Sequence, residues 1–469
     1  MPKVYINGRE LEVEEGKTIL QAALDNDIHI PHYCYHPHLP LSGNCRMCLV
    51  ETKPGPPKLV PSCMTPVQDG MEVFSETDKV KKTRQAVMEF LLKNHPVDCP
   101  ICDQAGECGL QDYYMEHDLA PSRLIGPEEK VKKRKARRMG KHVMLDSERC
   151  ILCTRCVRFM RDVVQDECLV IVNRGDRSEI TAFPGVEVNN PYSLCLAEVC
   201  PVGAWTSADF RFKQRVWFLE STASVCPHCA RGCNTWLDHM DGEVYRMRGR
   251  VNESINKSWL CDEGRLGYHA INDGRLVEPK VAGKSASWES ALSGAARIMG
   301  EAGDKLVLVA SASLSLEEGR KLLELSKKTG AKVLLHTGEP GWEDDFLRLS
   351  DMNSNTKGLS GLGISEKLEG PLAEESVAVL FETLCPNPLP EGVTARVVVS
   401  PQVSKAVESA EVALPAASYA ETSGTVVNAD GIEQTYGPAI PVKGTARSHQ
   451  DIITAIMEAL ESASEAAAG

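Results

Sequence analysis

No run of this 469-residue chain approaches the 18 or more apolar residues that a membrane span needs, so no direct membrane span is expected. Its start, MPKVYINGRE, has no apolar stretch of the kind a secretory leader carries, which points to a soluble, cytosolic chain. Aromatic residues make up only 5% of the sequence, and no G-x-G-x-x-G follows a predicted strand, so neither an NADH nor a flavin site is readable. Positive charge is short as well. The net charge of −13 and an isoelectric point near 5.5 argue against nucleic acid as the principal partner. One segment departs from that balance: KVKKRKARRMGKH, residues 130–142, carries eight Lys and Arg and no acid. It reads either as a solvated linker or as a surface that docks an acidic partner.

What the chain has in excess is cysteine, 18 in all. In a reducing compartment such density reads as metal binding rather than as a disulfide framework. The length calls for several domains, since single cores commonly stop at about 100–200 residues. The opening KVYINGRELEVEEGKTILQAAL predicts a strand, an Asn-Gly turn, a second alternating strand and an amphipathic helix, a small sheet with a helix packed on it.

Cys34, Cys45, Cys48 and Cys63 follow, spaced C-x10-C-x2-C-x14-C. A [2Fe–2S] cluster needs two thiolates per iron, and a C-x2-C pair with two outlying cysteines can wrap one. The first interval is longer than in the plant-type C-x4-C-x2-C pattern. Zinc is the rival, although zinc ribbons normally show two C-x2-C pairs. In CILCTRC, Cys150, Cys153 and Cys156 offer three thiolates to three corners of a [4Fe–4S] cubane. Cys200 in EVCPVGA is the natural fourth ligand, because Pro201 follows it as proline follows the last cysteine of bacterial ferredoxin runs. Cys226, Cys229, Cys233 and Cys261 give a second three-plus-one set, C-x2-C-x3-C-x27-C, suited to another cubane or to a four-cysteine zinc site. WLDHMDGEVYRMRGR between them predicts a hairpin with an Asp-Gly turn that returns the chain to Cys261.

Cys99, Cys102 and Cys108 then remain as a set of three in NHPVDCPICDQAGECGLQ, with Cys168, Cys195 and Cys385 isolated. None of those three lies close enough in sequence to complete the set. His95 lies four residues before Cys99, so the accounting makes it the fourth ligand of a third cubane. The alternative is a satisfied surface histidine. His32, His36, His38 and His228 are bystanders, because the cysteine sets beside them are already complete.

GNCRMCLVE, HPVDCPICDQAGECGLQ, CILCTRCVRF, CPVGA and CPHCARGC, in that order over residues 1 to about 275, resemble the large iron–sulfur subunit of NADH:quinone oxidoreductase, respiratory complex I, which is the G-type subunit of bacteria and the 75-kDa subunit of mitochondria. The resemblance implies a multidomain α+β then α/β chain. Its parts are a β-grasp [2Fe–2S] ferredoxin-type domain over 1–78 and a helical [4Fe–4S] module with one histidine and three cysteine ligands over 79–142. A ferredoxin-like [4Fe–4S] module over 143–220 follows, then a small β module of the molybdopterin-oxidoreductase [4Fe–4S] type over 221–278. The last part, over 279–469, is a truncated molybdopterin-oxidoreductase-like parallel-sheet domain.

Within the stretch after Lys280, KLVLVASASLSLEEGRKLLELSKKTGAKVLLHTG predicts a βαβ unit, and the tail ESASEAAAG reads as disordered or frayed helix. The region is short beside the family's and looks cut down internally, with no credible metal-binding cysteine. No molybdopterin and no FMN are therefore expected in this chain.

By the family's arrangement electrons come from a flavin- and NADH-binding subunit and enter at the [2Fe–2S] cluster. They pass to the Cys150 cubane and then the His95 cubane, and leave through a ferredoxin-like subunit toward quinone. The Cys226 cubane resembles the family's off-path cluster. The implied location is peripheral, on the cytoplasmic side of the inner membrane, attached to a membrane arm through other subunits. The same early modules occur in the diaphorase subunits of soluble NAD-linked hydrogenases and formate dehydrogenases, which stand as the alternative. A zinc-stabilised scaffold without a redox role is the third reading.

Overall fold

A computed structural model describes residues 1–469 except 118–120, 122–128, 374, 385 and 469. The chain divides into two units, Met1–Phe218 and Leu219–Gly469.

The first unit begins as its alternation predicts. Strands Lys3–Ile6 and Arg9–Glu12 pair antiparallel with Val4 opposite Leu11, turning on Asn7 and Gly8, both at positive φ (51° and 82°). Such a turn matches the twist of the strands it joins. Met71–Phe74 pairs parallel to the first strand, and Leu49–Lys53 and Val60–Pro61 extend the sheet to five strands. Helix Ile19–Leu24 starts with a reciprocal cap between Thr18 and Gln21 and buries Ile19, Leu20, Ala22 and Ala23 against Val4, Ile6, Val50 and Val73. Each fully buried Ile, Leu or Val side chain there contributes about 1.5–3 kcal/mol.

Helix Asp78–Asn94, capped by Thr77, ends where His95 leaves the helical region, and a 3₁₀ turn Cys99–Ile101 and helix Gly109–His117 follow. The rest of the unit has little regular structure. A three-stranded sheet of Arg137–Arg138, Val143–Leu145 and Trp205–Ser207, a hairpin of Leu169–Val172 with Glu179–Ala182, and short helices Arg155–Arg158 and Cys195–Val199 carry its loops.

The second unit opens with an antiparallel sheet of Glu220–Val225, Asn234–Met240 and Glu243–Gly249. The last two strands turn on Asp241 and Gly242, as the Asp-Gly pair predicts. Seven strands then form the second, larger sheet. Leu306–Ser311, Lys332–His336, Val377–Phe381, Ala395–Ser400 and Val412–Pro415 are parallel in spatial order 2-1-3-4-5, and the antiparallel pair Lys280–Val281 and Lys284–Ser285 extends the edge next to Val412–Pro415. This is a doubly wound order, with the predicted βαβ unit as its first crossover. Helices Trp288–Ala302, Leu316–Thr329 and His449–Ala468 cover one face, burying Ile298, Leu322 and Ile456 against Leu308, Val379 and Val397. The tail is helical to Ala468, because Ile452, Ile453 and Ile456 anchor the helix on that face.

Candidate metal centres

None of the described cysteines is disulfide-bonded. In the first set Cys34, Cys48 and Cys63 are each 1% exposed, and Cys45 is half-buried. Gly43 and Arg46, at φ 64° and 62°, curl the loop so that the backbone amides of Tyr33 and Cys34 donate to Cys45 Sγ at 3.5 and 3.4 Å. All four thiols lie within hydrogen-bonding reach of one another in a chain. Donation from Cys45 and then Cys63 holds Cys34 well below the usual thiol range, and donation from Cys63 brings Cys48 to about 7. Cys45 and Cys63, as the donors, are pushed up. Sulfurs that already trade protons in a dry pocket are a donor set suited to thiolate-bound iron.

In the second set Cys102 and Cys108 sit within electrostatic reach of each other and of Cys99. Burial raises Cys102 and lifts Cys108 to about 11. Arg149, 4% exposed, grips Asp98 through Nε (3.0 Å) and Nη2 (2.8 Å), and its charge eases the Cys102 thiolate. His95 is 9% exposed, and burial drives its imidazole down to about 4, so it is neutral near pH 7 as a metal-binding histidine must be. Its Nδ1 accepts from the Val97 amide at 3.0 Å. The neutral ring in that contact carries its proton on Nε2, so binding iron through Nε2 requires the proton to move to Nδ1 and the Val97 bond to be lost.

The third set gathers Cys150, Cys153, Cys156 and Cys200 within electrostatic reach of one another. Leu152 and Thr154, at φ 55° and 65°, wrap the CILCTRC loop, and the Leu152 amide donates to Cys150 Sγ at 3.4 Å. Cys200 ends helix Cys195–Val199, with Cys195 at the helix's other end. Burial lifts Cys150 to about 12 and Cys153 and Cys200 to about 11, while the amides of Trp205, Val202 and Ala204 pull Cys200 back. Trp205 Nε1 is buried with no hydrogen-bond partner, and the group it would stabilise is the Cys156 thiolate. An orphaned donor aimed at a thiol fits a centre whose sulfurs are ionised.

The fourth set, Cys226, Cys229, Cys233 and Cys261, is 4–6% exposed throughout. The Cys226 amide donates to Cys233 O at 2.8 Å, and Cys261 caps helix Asp262–Leu266 by accepting from the Gly264 amide at 3.3 Å. A Cβ at Gly264 would lie 3.2 Å from Cys226 Sγ and 3.3 Å from Cys261 Sγ, so the glycine lets the helix sit on the sulfurs. Burial raises all three of Cys226, Cys233 and Cys261.

Among the described residues no three His, Cys, Asp or Glu side chains are drawn tightly enough to hold one metal ion. Thiolates around a multi-iron cluster surround several metals rather than one point; the cysteines of each set lie within reach of one another, while the contacts of the His95 ring and carbonyl are to Val97 and Lys130.

Other residues sit at these sites without any motif to announce them: Arg149, Trp205, Arg158 and Arg348. Several cations of the basic segment have partners within the chain, while Arg134 and Lys135 keep 56% and 59% of their side-chain surface exposed. Lys133 Nζ donates to Ser178 O at 2.7 Å, Arg134 pairs with Glu179 at 2.9 Å, Lys135 pairs with Glu148 at 2.5 Å, and Lys130 Nζ donates to the His95 carbonyl. His32 Nδ1 meets Ile30 O at 2.8 Å, and His228 is buried with the backbone of Gly267 hard against its ring. Cys385 lies outside the described residues.

Five regions match known families. Residues 2–78 match a 2Fe-2S iron-sulfur cluster binding domain, and 84–123 the NADH-ubiquinone oxidoreductase-G iron-sulfur binding region. Residues 140–206 match the NADH-quinone oxidoreductase subunit 3 ferredoxin-like domain. Residues 219–273 match the molybdopterin oxidoreductase Fe4S4 domain and 392–459 molybdopterin oxidoreductase. The NADH-quinone oxidoreductase G-type subunit of Rickettsia conorii is 41% identical over 336 residues, 71% of this chain and 50% of the relative. The mitochondrial NADH dehydrogenase [ubiquinone] iron-sulfur protein 1 of Solanum tuberosum is 37% identical over 364 residues, 76% of this chain and 49% of the relative. A chain of a NAD+-reducing [NiFe]-hydrogenase in its H2-reduced state is 30% identical, covering 46% of this chain and 91% of that one, at a TM-score of 0.42. The chain spans about half the length of the curated relatives it matches. It belongs to the family of the large iron–sulfur subunit of NADH-quinone oxidoreductase, the G-type subunit of bacteria and the 75 kDa subunit of mitochondria.

Proposed function

We propose that this chain is an electron-transfer subunit in the peripheral arm of complex I, relaying electrons from an NADH- and flavin-binding subunit toward a ferredoxin-like subunit and quinone. In this reading Cys34, Cys45, Cys48 and Cys63 hold a [2Fe–2S] cluster. His95, Cys99, Cys102 and Cys108 hold a [4Fe–4S] cluster, as do Cys150, Cys153, Cys156 and Cys200, and as do Cys226, Cys229, Cys233 and Cys261. When bound, such clusters accept and release single electrons at potentials set by burial, hydrogen bonds to sulfur and nearby charge. In this reading the first domain is a β-grasp ferredoxin, and a five-part division at 78, 142, 220 and 278 goes with it.

The observation that carries the reading is that the cysteine loops of the first unit touch in series. Asn44 Nδ2, beside Cys45, donates to Leu152 O at 3.1 Å, and Ser42 Oγ meets Thr154 Oγ1 at 3.3 Å. Gly203, three residues after Cys200, packs so closely on Cys102 Sγ that a methyl there would collide with it, and the Gly109 amide donates to Pro201 O at 3.0 Å. The first set thus adjoins the third, and the third adjoins the second. A zinc scaffold has no need of sites in series, whereas electron transfer does. Relatives from NADH-quinone oxidoreductase at 41% identity favour complex I over the soluble diaphorases. Among the described residues no helix is long and apolar enough to cross a membrane, and we propose that attachment to the membrane is through other subunits.

Protein purified without oxygen should carry about fourteen irons per chain, two in one [2Fe–2S] and the rest in three [4Fe–4S] centres. His95→Ala should alter or abolish one cubane signal in low-temperature EPR, and Cys200→Ser, but not Cys195→Ser, another. Stoichiometric zinc in place of iron would sink the proposal. Molybdenum or tungsten bound in stoichiometric amount would overturn the reading of 279–469 as a pterin-free support.

A further inference from the structure

Arg348 lies in the segment Gly341–Asn355, between strand Lys332–His336 and helix Thr356–Gly361, and its side chain has no exposed surface. The amides of Phe346, Leu347 and Arg348 all donate to Asp344 Oδ1, at 3.1, 2.8 and 3.0 Å, which fixes the turn. The same segment grips the cysteine loop. The Ala230 amide donates to Asp351 O at 2.8 Å and Arg231 Nε to Leu347 O at 3.0 Å. From that platform Arg348 Nη1 donates to Cys261 Sγ at 3.6 Å, and Nη2 donates to Glu263 Oε1 and Met352 Sδ, both at 2.9 Å. The guanidinium lies 4.9 Å from the centre of the Trp342 ring, whose Nε1 donates to Glu263 Oε2 at 3.2 Å.

A fully buried cation needs a paired negative charge. Glu263 supplies one, but its side chain is 43% exposed and shared with solvent and Trp342. What remains is sulfur: Cys261, with Cys226 and Cys229 within reach of the same charge. Four neutral thiols would leave the guanidinium under-paired. An ionised sulfur centre pairs it.

We infer that Arg348 is the positioning residue of the Cys226, Cys229, Cys233 and Cys261 site, holding Cys261 Sγ and setting the electron affinity of the centre those sulfurs bind. The inference rests on the reading of that site as a cubane. Reduction adds one negative charge in a poorly screened pocket, and a cation one hydrogen bond from a ligand sulfur favours the reduced form. Glu263 acts in the opposite sense by neutralising part of that charge. The α/β domain is then more than a cover, since it supplies the charge that tunes the site.

The test is potentiometric EPR titration of the whole chain purified without oxygen, with the site's signal assigned by its loss in Cys226→Ser. Arg348→Met should lower the midpoint by at least a tenfold change in the reduction equilibrium, about 59 mV for one electron. Arg348→Lys should fall between Met and wild type, Glu263→Gln should shift the midpoint upward, and the other signals should stay in place. Intact iron content with no shift in either Arg348→Met or Glu263→Gln overturns the role of Arg348 and leaves the cubane reading standing. If Arg348→Met loses the centre altogether, Glu263→Gln decides: an upward shift supports the role and no shift overturns it. If Cys226→Ser removes no signal from the wild-type spectrum, the cubane reading fails in the parent protein and this inference fails with it.

Discussion

Arg158 of the first unit and Arg348 of the second are buried arginines put to different uses. In the first, Arg158, 5% exposed, donates to the carbonyls of Cys34, Pro40 and Cys153 and to Thr154 Oγ1, while Arg155 donates to the carbonyls of Tyr35 and Val199. These guanidinium groups staple one cysteine loop to another through backbone, where an irregular loop has no strand or helix to satisfy its carbonyls. In the second, Arg348 reaches a sulfur directly, and the backbone around Cys226 and Cys233 is already paired by the hairpin. At Cys226 and Cys233 the hairpin pairs the backbone and Arg348 reaches a sulfur, whereas Arg158 is occupied by the carbonyls of two loops.

The largest expected effect breaks the stapling. Arg158→Met leaves the Cys34, Pro40 and Cys153 carbonyls without this donor, at a cost of about 3 kcal/mol for buried groups losing a charged partner. Because one side chain serves two loops, the [2Fe–2S] signal and the Cys150 cubane signal should weaken together, with the Cys226 signal intact. EPR on the anaerobic variant checks this, and loss of only one signal would show that the loops are held independently.

A smaller change sharpens the same contrast. Gly203→Ala pushes a methyl into Cys102 Sγ, with Gln104 and Arg149 also close by. Overpacking of this kind costs about 1–3 kcal/mol. Since Gly203 follows Cys200, both first-unit cubane signals should change. Gly264→Ala places its methyl against Cys226 Sγ and Cys261 Sγ at 3.2 and 3.3 Å, and should disturb the fourth site alone. Thermal unfolding and EPR of the two variants side by side test the pairing. Equal disturbance of all sites by either variant would refute it.

How much of this could be read beforehand follows from range along the chain. The turn at Asp241-Gly242 and the βαβ unit are local patterns, set by spacing over a few tens of residues, and each appears in the fold where its pattern places it. One of the two strand partners of Val412–Pro415 is Lys280–Val281, more than a hundred residues earlier, and no periodicity names it. Arg348 is eighty-odd residues from Cys261 and belongs to no motif, so its role depends on a tertiary contact alone. The basic run is partly legible for a related reason: charge density shows in the sequence, but Glu148 and Glu179, which pair with two of its cations, are met only once the loops are folded.

The smallest expected effect lies away from every cysteine set and concerns the second unit's sheet rather than its cysteines. His336 ends strand Lys332–His336, 5% exposed, with Nε2 meeting Asn387 O at 3.2 Å. Burial holds its imidazole below the usual value, although the carbonyls of Asn387 and Pro388 pull the other way. The folded state therefore binds fewer protons here than the unfolded state, so this contribution is whole above the unfolded value of about 6.5 and is lost as the pH falls below it toward the folded value. Moving from pH 7.5 to 5.5 should lower the hydrogen-exchange protection factors, rates corrected for the intrinsic pH dependence of exchange, at the amides of Leu306–Ser311 and Lys332–His336. His336→Gln, which keeps a donor for Asn387 O and does not titrate, should remove most of that difference. An equal loss of protection in the variant would assign the acid sensitivity to another group.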